Sequence, residues 1–171
     1  YENGGPKVEL LASGISVPWA LQAQKLLMQD WGVDAAVWSV TSWHELRRDG
    51  MESDRHNLIH ADEEYRLPYV TQRLRNATGP VIATSDYDHL VPDMIRPWVP
   101  GRYKVLGASD FGYSDTRAAA RRHFLIDAES LVVQALEALN ENGVLQDRSV
   151  VTQALNRYDL LNPNAGSSGE Q

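Results

Sequence analysis

The 171-residue chain has no cysteine, only two phenylalanines and three methionines, and no apolar run near the ~20 residues that span a bilayer. Without cysteine it has neither disulfides nor thiolate chemistry, and its composition suits a reducing compartment. A cytoplasmic protein with no membrane partner is the expectation. Excess positive charge is missing too. Sixteen Lys and Arg stand against 23 Asp and Glu, for a net charge of -7 and a pI near 5.1. Nucleic acid is therefore not expected as a partner, because phosphate-backbone binders concentrate positive charge on one face. Three chemical signatures are absent as well. The turn after the first apolar run, Ala12-Ser13-Gly14-Ile15-Ser16, holds one glycine where a dinucleotide fingerprint needs three. No G-x-x-x-x-G-K-[ST] phosphate loop occurs, and no serine sits in a G-x-S-x-G elbow.

Hydrophobic residues make up 43% of the chain, enough for a globular core. At this length one domain buries roughly 70% of its extended surface. Tyr1 to Pro6 is polar and glycine-rich and begins without Met, so residues 1–7 are expected to be a linker from a preceding domain of a longer polypeptide. Residues 8–162 form the domain, and 163–171, rich in Gly and Ser, read as a loose tail. The triplet Asn76-Ala77-Thr78 matches a glycosylation sequon, but no segment resembling a signal peptide precedes it, and the match reads as chance.

Apolar strands are expected at Val8 to Ser13, Asp34 to Thr41, Val81 to Ser85 and Tyr103 to Gly107. Between the first two, Leu21, Leu26, Leu27 and Trp31 recur at helical spacing, Pro18 lies in the first turn and Gly32 ends the helix. Ser42 to Arg48 reads as a helical turn capped by Ser42 and broken at Asp49-Gly50, followed by an irregular polar region. Short helices are expected from Pro68 to about Asn76 and from Asp88 to Pro97. A helix opens at Ser114 or Asp115, an amphipathic one runs from Ala128 to Asn140, and a last one spans Ser149 to Tyr158. Four or five strands alternating with helices predict an α/β fold, a three-layer α/β/α sandwich around a mostly parallel sheet.

The segment Val105 to Asp127 combines a strand, a loop with Gly107 and Gly112, and a helix start, the place where open α/β sheets put sites and interfaces. Its Asp110-Phe111-Gly112 matches the metal-binding triplet of protein kinases, yet the glycine loop, strand Lys and H-R-D loop of a kinase are all missing. Arg117 and Arg121, at i and i+4, are candidates for holding a small anion with helix-start N-H groups. The plainer alternative is a solvated face paired to Asp110, Asp115 and Asp127. His56 and His60 would share a helical face, but two imidazoles alone do not close a metal site, and Asp62 to Glu64 read as a solvated loop. Five tryptophans should be mostly core, an exposed one marking a contact.

Several segments in order, L-L-A-S-G (10–14), V-W-S-V-T-S-W-H-E-L-R-R-D-G (37–50), A-T-S-D-Y (83–87), L-G-A-S-D-F-G-Y-S-D-T-R (106–117) and R-R-H-F-L-I-D (121–127), resemble one family. It is the C-terminal domain of transketolase-like thiamine-diphosphate enzymes, within them the homodimeric bacterial pyruvate dehydrogenase subfamily, from Val8 to about Asn162. The resemblance implies a mixed, mostly parallel five-stranded sheet forming the third domain of each subunit. It implies a parent enzyme that decarboxylates pyruvate on thiamine diphosphate with magnesium and reductively acetylates the lipoyl group of a dihydrolipoyl acetyltransferase component. The G-D-G motif and activating Glu of the cofactor site are missing here, so the chain alone is expected to have neither cofactor nor activity. Its expected role is assembly, against the middle and N-terminal domains and the homodimer partner. On that analogy the contact candidates are Trp43, His44, Asp110, Phe111, Tyr113 and Asp115, at the carboxyl ends of strands. An independent small-anion-binding α/β module and a small metal hydrolase are the competing expectations.

Overall fold

A computed structural model describes residues 4–109 and 114–162. Four strands, β1 (Lys7–Ala12), β2 (Asp34–Ser39), β3 (Val81–Thr84) and β4 (Tyr103–Leu106), form one sheet in the order β2-β1-β3-β4. All three pairings are parallel, with Leu11 opposite Trp38 and Ala83, and Ala83 opposite Val105. Parallel pairing needs crossover connections, and the helices supply them on both faces.

Strand alternation divides the core in two. Leu10, Ala12 and Ile82 point to α1 (Val17–Trp31), α6 (Ala128–Glu141) and α7 (Ser149–Arg157), where Leu27, Leu131, Leu136 and Leu139 are fully buried. Leu11, Val81, Ala83 and Tyr103 point the other way, to Trp43 of α2 (Trp43–Ile59), Val70 and Leu74 of α3 (Tyr69–Leu74) and Ile95 beyond α4 (Leu90–Asp93). The helix signals act as the sequence suggests. Pro18 lies in the first turn of α1, Gly32 closes that helix at φ 63°, and the Asp127 carboxylate accepts from the Ser130 N-H to cap α6.

Three expectations need correction. The sheet has four strands among the described residues, all parallel, as the mostly parallel α/β reading has it, where the resemblance implied a fifth strand. Helix α2 does not stop at Asp49-Gly50. It runs 17 residues to Ile59, absorbing most of the region expected to be irregular. Gly50 is buried against the Trp98 ring, where a Cβ would lie 2.4 Å from the indole, so this glycine marks a close approach and not an end. Helix α5 (Arg117–His123) starts two or three residues later than expected, because the Thr116 hydroxyl accepts from the Ala119 N-H and takes the cap. Among the described residues no helix is long and apolar enough to cross a membrane.

Candidate functional site

The carboxyl rim of the sheet is built by side chains that grip main-chain groups. After β1, the buried Ser16 hydroxyl donates to Ser13 O (2.6 Å) and lies 3.2 Å from Thr84 O, tying the β1 turn to β3. The Ser13 hydroxyl accepts from Trp43 Nε1 (3.0 Å), tying the same turn to the start of α2. After β3, Ser85 N-H donates to Leu106 O (3.2 Å), and Ala108 N-H to Tyr87 O (2.9 Å), joining the β3 and β4 exits. Ser109 Oγ then accepts from the His89 N-H (3.2 Å) and also bonds His89 Nδ1. Gly107 permits this crossing, since a Cβ there would lie 2.5 Å from His89 N and Cα. The outcome is a cross-linked rim that exposes Ile15, His44, Tyr87 and Leu90. Its hydroxyls position loops, and such a surface is suited to contact.

The sequence candidates fall in different places. Trp43 is 4% exposed and belongs to the core, its ring packed in the second cluster and its N-H on Ser13, whereas the adjacent His44 is exposed. Asp115 is exposed and accepts from the Thr116 N-H (2.6 Å). Asp110, Phe111 and Tyr113 lie outside the described residues. Arg117 is exposed at the start of α5, a helix of only seven residues, and the Arg121 guanidinium stacks 4.3 Å over the Trp19 ring. Of the arginine cluster, Arg122 is the one that meets Asp127, and it does so buried, not on a solvated face. It also donates to Tyr158 O (2.9 Å) and reaches Glu129 at 3.5 Å, linking α5, α6 and α7. Burial pushes the Glu129 carboxyl above its ordinary range, with the Asp127 charge adding to it. Tyr158 closes the same corner. Its hydroxyl bonds Trp31 and Asp30, and burial pushes it up to about 12.

His56 in the last turn of α2 and His60, the residue that caps its end, bring their rings 4.6 Å apart, and both reach Glu63, at 3.3 and 3.1 Å. Among the described residues no group of three or more His, Asp or Glu side chains is arranged to hold a metal ion. Sequence reasoning missed His89 with Ser109 and Ser16 with Thr84. These partners stand 20 and 68 positions apart; Ser109 and Thr84 lie in segments that carry the family resemblance, but nothing in those segments points to the partner.

Residues 1–127 match the family described as the transketolase-like TK C-terminal domain. The chain is 52% identical over 159 residues to the pyruvate dehydrogenase E1 component of Mycolicibacterium smegmatis, covering 93% of this chain and 17% of that protein. It is 53% identical over 154 residues to the component of the same name from Mycobacterium tuberculosis, covering 90% and 16%, and 39% identical over 160 residues to that of Escherichia coli K12, covering 93% and 18%. The chain thus spans about a sixth of the length of these relatives. Among solved structures, a split-gene transketolase described as an inactive beta4 tetramer superposes with a TM-score of 0.54 at 22% identity, covering 80% of this chain and 40% of that one. That likeness speaks for the fold.

Proposed function

The chain belongs to the transketolase-like C-terminal domain family, and on that premise we propose that it is the C-terminal assembly domain of a pyruvate dehydrogenase (acetyl-transferring) E1 component. The observation that carries this reading is the 52% identity over 93% of the chain to a relative of which it covers 17%. In the proposed parent, thiamine diphosphate with magnesium would supply the chemistry that decarboxylates pyruvate, and the lipoyl disulfide of a dihydrolipoyl acetyltransferase would be reductively acetylated. The described residues do not fit that cofactor, because they offer no acidic or imidazole cluster able to hold its metal. The reading assigns the cofactor to parts of the parent outside this chain, because the G-D-G motif and the activating Glu are missing from its sequence.

What these residues do is hold a surface. The Ser16, Ser13 and Ser109 hydroxyls fix the strand exits, so the rim meets the neighbouring domains and the homodimer partner without reordering loops. The setting is cytoplasmic. Titrating the 171-residue chain with magnesium and thiamine diphosphate in a calorimeter should give no binding heat, and saturable micromolar binding overturns the assignment of the cofactor. A full-length parent that fails to decarboxylate pyruvate overturns the activity.

A further inference from the structure

The helices on the second face of the sheet stop short of its edge. Trp38 lies in register with Leu11, on the same face, yet α2 and α3 bury Leu11 and leave Trp38 37% exposed. The result is an open groove of about 560 Å³, floored by Leu11, Val40 and Leu46 and walled by Trp38 of β2 and Tyr69 of α3, the latter 49% exposed. That volume lies within the roughly 300–1,000 Å³ typical of small-molecule sites.

The charges that line it are equal in number, Glu45 and Asp49 against Arg48 and Arg73, but they are not evenly paired. Glu45 is paired with Arg48 at 2.5 Å, and the Arg48 guanidinium also lies 3.9 Å from Glu52. Asp49 accepts from the Tyr69 N-H at 2.6 Å and faces Arg66 at 3.6 Å. Each lining carboxylate thus has its own partner. Arg73 lines the groove one helical turn after Tyr69, its guanidinium 4.9 Å above the Tyr69 ring, and no carboxylate among the described residues pairs with it. Stacking on the aromatic face holds the guanidinium plane while leaving its N-H fork for an acceptor. In a chain of net charge -7, a cation so placed at an apolar groove is complementary to a ligand that is apolar over most of its surface and bears one anionic group.

We infer that this groove binds a small aromatic monocarboxylate, its ring against Trp38 and Tyr69 and its carboxylate on Arg73. The groove adjoins the rim at the β2 exit and the first turn of α2, and its reading does not rest on the assembly role. It is a binding site alone: its carboxylates, Glu45 and Asp49, are held by Arg48 and by the Tyr69 N-H.

The test uses the 171-residue chain with 2-naphthoate as probe and its neutral analogue 2-naphthamide, read by calorimetry and tryptophan quenching. Wild type should bind 2-naphthoate saturably at one site and the amide about tenfold or more weakly, as expected for one charge-assisted hydrogen-bond pair. Arg73→Gln should weaken naphthoate about tenfold and bring the two probes level. Trp38→Phe should remove most of the quenching, with circular dichroism and thermal melting confirming that both variants fold. Arg117→Gln, on a different element, should bind as wild type. Absence of saturable binding, equal affinity of acid and amide for wild type, or loss of binding in Arg117→Gln in place of Arg73→Gln overturns the proposal. Self-association that Arg73→Gln disrupts, without naphthoate binding, assigns the groove to a second copy of the chain and overturns it as well.

Discussion

Single atoms set several limits in this molecule. Alanine normally favours a helix interior over glycine by about 1 kcal/mol. At position 50 the added methyl would meet the Trp98 indole at 2.4 Å, and Trp98 is itself held by Nε1 donating to Asp54. Gly50→Ala is therefore expected to destabilise the fold by about 1–3 kcal/mol in urea unfolding, the opposite of the propensity effect. Glu129 supplies a pH signature. Its folded-state pKa is raised by burial, so the native state holds a proton that the unfolded chain releases near the ordinary value of about 4.3. The stability of wild type relative to Glu129→Gln should then be greatest below that pH and decline as pH rises through the raised pKa. Urea midpoints between pH 4 and 7 check this, and a difference independent of pH contradicts it.

At the scale of elements, Arg122 is the joint between three helices, touching Asp127, Glu129 and Tyr158 O while 3% exposed. Arg122→Met leaves the Asp127 carboxylate buried beside an apolar side chain and should cost about 3–5 kcal/mol, measured by chemical denaturation. The same scale shows what a sequence reveals. The four strands were legible because their apolar runs lie between glycine, proline and capping signals, and α1 because Pro18 and Gly32 bracket it. Helix α2 was not, since Asp-Gly reads as a stop wherever no partner is in view, and the partner here, Trp98, lies 48 positions away. Trp43 has the same history. Its position after a strand suggested a contact, but its N-H finds Ser13 thirty residues earlier and the ring goes inside. The groove beside Trp38 was illegible for a related reason: only the packing shows that α2 and α3 leave that part of β2 bare.

For the whole molecule, the family match and the folding unit have different extents. The match ends at residue 127, whereas α6 begins at Ala128 and places Leu131, Val132, Leu136 and Leu139 fully inside one of the two cores. A chain cut after Asp127 should lose cooperative unfolding and be digested rapidly in limited proteolysis, while the 171-residue chain resists up to its last helix. The sheet order carries one more implication. β1 comes first in sequence yet lies between β2 and β3, with β4 added outside β3. On the ribosome each new strand can therefore join the sheet at an open edge as it emerges, without prying apart a pair already formed. The face awaiting α6 stays uncovered until the chain has grown past Leu139, which makes the growth from β4 to that point the interval in which a nascent chain most needs shielding from its neighbours.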